Sequence, residues 1–167
     1  MATHCSPAQI SEAHWVLAES ASQDAPSDVH PAARMLRINA ACQRGDARRA
    51  RALLDQYAQT HPLQPQTFLW QLFELCRARI ECVEGDPTAA LNRIDDVLGW
   101  ASDIGNEYTW STGLVRRAEC LRYLTAYEDA GTALDLIEAH GLAHHHLLDD
   151  IEDVRSSLSR SAAQLKG

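Results

Sequence analysis

The stretch Arg77-Ala78-Arg79-Ile80-Glu81-Cys82-Val83-Glu84-Gly85-Asp86-Pro87, followed by Ala90-Leu91, decides the fold. Gly85 stands where a helix must stop, because glycine takes the left-handed C-terminal conformation without a Cβ penalty. Asp86 is placed to cap the next helix, and Pro87 fills its first position, where the missing N–H costs nothing. So short a connection folds the two helices into an antiparallel hairpin.

The pattern recurs. Gly45-Asp46 lies 40 residues upstream, and the same step downstream reaches Thr125-Ala126. Five residues after each anchor stand Ala50, Ala90 and Ala130; nine after stand Leu54, Ile94 and Leu134; twelve after stand Tyr57, Val97 and Ile137. Seven before stand Ile38, Ala78 and Ala118, and eight before stand Arg37, Arg77 and Arg117. A fixed period with small or apolar residues in repeated columns marks a stacked repeat. The alanine column lets the second helix of each pair approach the first closely, and the apolar residue four later keeps one stripe inward.

The spacing predicts first helices over about 32–44, 67–84 and 107–124, and second helices over about 46–60, 87–101 and 127–140. These make hairpins of about 31–62, 66–102 and 106–141 within a single domain, with flanking helices near 7–21 and 145–165. The last helix falls where the 40-residue step expects another first helix. Its polar end suits a terminal cap.

Composition agrees. Of 167 residues, 46% are apolar and 23% charged, and good helix formers far outnumber the two Phe and four Tyr. No stretch approaches the roughly 20 apolar residues of a membrane helix, and the N-terminus lacks the order of a signal peptide, so a cytoplasmic location without membrane attachment is expected. Five cysteines without C-x-x-C read as free, mostly buried thiols in a reducing compartment. The net charge of −8 is uneven: residues 1–30 sum to −4 and 31–60 to +4. That Arg-rich island, in so acidic a chain, does not amount to a nucleic-acid footprint.

At the Gly-Asp-x-x-x-Ala columns the sequence resembles tetratricopeptide repeats. The 40-residue unit is closer to the extended repeats of bacterial transcription activators of the maltose-regulon type and of related sensor regions. The resemblance covers residues 31–140, two units well and the third partly, and Arg37, Arg77 and Arg117 stand where that family places Leu. It implies a right-handed α–α superhelix whose first helices line a concave groove.

Motifs for catalysis are absent: no Gly-rich phosphate loop, H-E-x-x-H or G-x-S-x-G occurs. His140, His144, His145 and His146 cluster, but Gly141 interrupts them and no Cys or Glu completes a tetrahedral set, so they read as a solvated loop and no metal or cofactor is expected. The arginine column is the stronger candidate. As a ladder facing the groove, Arg37, Arg77 and Arg117 would hold carboxylates or carbonyls of a bound segment. The alternative is pairing with local acids such as Glu74, Glu81 or Glu119. Trp70 and Trp110 are the candidate aromatic anchors, while Phe73 reads as core and Trp15 and Trp100 as packing between helices. The expected function is a non-catalytic protein–protein interaction module, a bacterial regulatory or signalling scaffold for a partner peptide or helix, compatible with a homodimer. A small acidic secretion-type chaperone is the alternative, and a metal-dependent sensor or enzyme using the histidines a third.

Overall fold

Gly45, Gly85 and Thr125 all adopt positive φ, at 74°, 95° and 60°, so the 40-residue column is a column of left-handed helix ends. Each closes the same pair of hydrogen bonds. The residue's own N–H bonds back three residues (Gly45 to Cys42, Gly85 to Cys82, Thr125 to Arg122), and the next N–H bonds back five (Asp46 to Ala41, Asp86 to Glu81, Ala126 to Leu121), at 2.9–3.2 Å. The structure is a computed structural model that describes residues 31–60, 64, 67–143 and 147–164. The expected helix over 7–21, part of the 61–65 linker and His144–His146 lie outside the described residues.

The described residues are all-α: α1 (Pro31–Gln43), α2 (Ala47–Thr60), α3 (Phe68–Glu84), α4 (Pro87–Asp103), α5 (Glu107–Tyr123), α6 (Tyr127–Ala139) and α7 (Leu148–Gln164), with no strand among them. None of these helices is long and apolar enough to cross a membrane. The N-caps are largely those expected. Asp46 Oδ1 accepts from Arg49 N at 3.0 Å and Asp86 Oδ1 from Ala89 N at 3.1 Å, whereas Ala126 makes no side-chain cap. Thr67 and Asn106 cap α3 and α5, accepting from Trp70 N and Thr109 N.

The chain forms two compact units, residues 1–63 and 64–167. In the first, α1 and α2 form a hairpin whose buried residues include Ile38, Ala41, Ala50, Leu54 and Tyr57. The Arg34 guanidinium stands 5.2 Å from the Tyr57 ring centroid. Burial pushes the Tyr57 hydroxyl pKa up, against the pull of Arg34.

In the second unit, α5 is central and packs against α3, α4, α6 and α7. Leu75, Ala78, Ala90, Ile94 and Val97 form one core cluster; Leu114, Ala118, Leu121, Ala130, Leu134 and Ile137 belong to another, continued by Leu147, Ile151 and Val154. Leu91 and Leu98 pack against both and join them into a continuous core. Every residue of the four apolar columns is buried. The last second helix, however, is shorter: α6 has 13 residues against 17 in α4. The connections after α4 and α6 use the same glycine turn at Gly105 and Gly141, both at φ 67°, and these lie 36 residues apart. Ion pairs tie the first helices together: Arg79 of α3 reaches Glu119 of α5, 40 residues on, and Arg116 of α5 reaches Asp150 of α7, 34 on.

The cysteines depart from expectation. Cys82 of α3 and Cys120 of α5 bring their sulfurs together, their Cα atoms 6.0 Å apart, within the span of a disulfide. Their separation of 38 residues falls outside the repeat step, because it depends on how α3 and α5 turn toward each other. Cys42 and Cys76 are buried, as small apolar residues should be, and Cys5 lies outside the described residues.

Thr125 is the costly member of its column, because a β-branched side chain in the left-handed region is strained by about 1–2 kcal/mol. Thr125→Gly should stabilise the protein by up to about 1 kcal/mol, after the extra backbone entropy of glycine is subtracted. The shift in urea midpoint measures it. Thr125→Val, which keeps the branching, should bring no gain.

Candidate partner-binding site

The Thr67 cap fixes the first turn of α3 and with it Trp70. The Trp70 ring meets Trp100, near the end of α4, edge to face at 5.9 Å between centroids. Beside them a hollow of about 380 Å³ opens between α3 and α4, lined by Trp70, Glu74, Asn92, Arg93, Asp96 and Val97. Its floor is held by ion pairs. Glu74, almost wholly buried, accepts from Arg77 at 2.9 Å and from Arg93, and Arg93 also clasps Glu81 at 2.7–3.2 Å. The bonds to Glu81, opposed by burial and reinforced by Glu74, hold the Arg93 pKa above the ordinary arginine range. The same bonds hold the guanidinium against Glu74 and Glu81, and the hollow keeps an indole wall with a carboxylate, Asp96, at an exposed position.

One repeat on, the same layout returns in altered form. Asn106 caps α5, Trp110 stands where Trp70 did, and its ring meets His140 edge to face at 5.2 Å. His140 replaces Trp100 at the end of the second helix, and its Nδ1 lies 2.8 Å from the Leu136 carbonyl oxygen. Trp110 also packs against the core formed by α5, α6 and α7.

The arginine column divides. Arg77 pairs with Glu74 on its own helix and Arg117 with Asp95 of α4 at 2.9 Å, so both hold acids of this chain. Arg37 lies half-buried on α1. Trp70 lines the hollow together with Glu74, the partner of Arg77, while Trp110 and Arg117 serve separate contacts. The ladder that does cross the first helices stands two residues away. Arg79 of α3 bonds Glu119 of α5 at 3.0 Å, Glu119 bonds Arg116 at 2.7 Å, and Arg116 bonds Asp150 of α7 at 2.6 Å. Burial alone would lower the Arg116 pKa, but Asp150 and Glu119 outweigh it and hold the group charged.

Sequence reasoning missed Arg93 and the Arg79–Glu119 pair. The second had a signal: opposite charges 40 residues apart occupy one repeat column. Acids crowd the start of α7, where burial first, and then Asp150, Asp149, Glu152 and Glu119, raise the carboxyl pKa of Asp153.

No protein-family profile, curated protein or solved structure matches the chain. Its own geometry therefore has to carry the functional reading.

Proposed function

We propose that the chain is a non-catalytic protein–protein interaction module. In this reading the hairpins stack as a right-handed superhelix of the tetratricopeptide type, and the protein is a bacterial cytoplasmic scaffold in regulation or signalling. It holds a peptide or helix of a partner protein. The observation that carries the proposal is the hollow beside Trp70. An aromatic wall, an amide at Asn92 and an exposed carboxylate at Asp96 line a half-open space of about 380 Å³, room for a large side chain, beside the Arg93–Glu74–Glu81 ion pairs. Rigid aromatic anchors in small pockets dominate binding energy at protein interfaces.

Affinity purification with the intact chain tests it. One regulatory partner should be recovered, and Trp70→Ala should weaken its binding about thirtyfold, the loss typical of an anchor residue. Unchanged affinity in a Trp70→Ala protein with a native circular dichroism spectrum would sink the assignment. The chaperone reading has one observation in its favour: the whole excess of eight negative charges falls in residues 64–167, where several large apolar side chains are exposed. Recovery of a secreted, aggregation-prone client in place of a regulator would select it.

A further inference from the structure

The second unit pairs six of its eight arginines internally. Arg77, Arg79, Arg93, Arg116, Arg117 and Arg155 each form an ion pair with an acid of the same unit. Residues 64–167 hold seventeen acids against nine Lys and Arg, and the surplus lies on the surface. Arginines already committed to acids of the chain are poorly placed to receive a partner's carboxylates. Charge complementarity therefore favours a basic partner.

One end of this unit combines that charge with apolar side chains. The N-terminal ends of α3 and α5 and the C-terminal end of α4 come together there, as the Trp70–Trp100 contact and the Phe68–Tyr108 contact require. Phe68, the first residue of α3, and Tyr108, the second of α5, are 51% and 39% exposed, and their rings meet edge to face at 5.8 Å. They stand 40 residues apart, in one repeat column. Ile104, in the turn after α4, is 60% exposed. Asp103 and Glu107 flank it, both exposed, and neither 64–76 nor 94–115 contains a Lys or Arg. Aromatic pairs of this kind bury large areas when covered.

Resting on the protein-binding reading, we infer that the Phe68–Tyr108–Ile104 end of the second unit is a docking surface for a basic amphipathic segment of a partner protein. Apolar side chains of that segment cover the ring pair, and its Lys or Arg side chains meet Asp103 and Glu107.

The test uses the full chain and a fluorescently labelled amphipathic Lys/Leu helix of about 18 residues, long enough to fold on contact. A Glu/Leu helix of the same pattern is the control, and anisotropy is read at about 0.05 and 0.5 M salt. The Lys/Leu helix should bind, more weakly at high salt, and the Glu/Leu helix should not. Phe68→Ser with Tyr108→Ser should weaken binding at least tenfold, whereas Leu136→Ser, at an exposed site on α6, should leave it unchanged. Glu107→Lys, which removes no packing, should lower affinity severalfold and guards against a folding defect in the double variant. Equal binding to the double variant, or equal binding of both helices, would overturn the site. So would self-association of the chain that the double variant abolishes, which would assign the patch to a second copy. If the site fails while Trp70→Ala still releases a captured partner, the protein-binding reading stands without it. If the site holds and Trp70→Ala releases nothing, the hollow is the part that falls.

Discussion

Arg116→Met is expected to cost about 3–5 kcal/mol of stability, the largest single effect this structure implies. Arg116 is buried and bonds two carboxylates, Glu119 at 2.7 Å and Asp150 at 2.6 Å. Taking it away removes the buried cation that both acids bond and leaves Glu119 to Arg79. The loss is dominated by that lost compensation and not by the worth of the pairs when intact. That distinction is measurable. Replacing the whole chain of charges, with Arg79→Met, Arg116→Met, Glu119→Leu and Asp150→Leu together, removes desolvation costs along with attractions. The quadruple variant should recover most of the lost stability in urea titrations. Were it no more stable than Arg116→Met alone, the ion chain would be a net source of stability and the argument from lost compensation would be wrong.

The same four residues show where sequence reading stops. Arg79, Arg116, Glu119 and Asp150 have the composition of a solvated helix face, and nothing in their local spacing announces burial. Only the side-by-side packing of α3, α5 and α7 buries the two arginines and half-buries the two acids. Arg77 and Arg117, which repeat more conspicuously, are half-exposed and tied to Glu74 and Asp95. What was legible is what local physics decides. Gly45 and Gly85 end helices because their backbone demands it, and the columns led by Ala50, Leu54 and Tyr57 face inward because they share a helix stripe. Thr125 could be placed in its turn by the period, though its own chemistry argues against it. The shorter 36-residue step to Gly141 was not legible, since the last connection carries no Gly-Asp signature. Phe68 and Tyr108 were hidden for a different reason: aromatic residues at helical spacing are usually core, and exposure is a property of the assembled unit.

Gly113 is the second place where a small change should act strongly. It lies within α5, buried, where a Cβ would come 2.8 Å from Leu98 Cδ2 and 3.2 Å from its Cγ. Leu98 packs against both core clusters, so its room to move is limited. Gly113→Ala sets a helix-propensity gain of about 1 kcal/mol against displacement of the packed Leu98 side chain by a few tenths of an ångström, and should come out close to neutral. Gly113→Val adds two further methyl groups in a stiff rotamer and should cost about 2–3 kcal/mol. Leu98→Ala alone should also cost about 2–3 kcal/mol, through the cavity it leaves. Combined, the two should not add. The valine occupies part of the space the leucine vacates, and the double variant should be at least about 1 kcal/mol more stable than the sum of the single losses predicts. A double-mutant cycle in urea reads that coupling directly. Strict additivity would mean that α4 and α5 do not meet through Leu98 and Gly113, and the continuous core that joins the two clusters would have to be placed elsewhere.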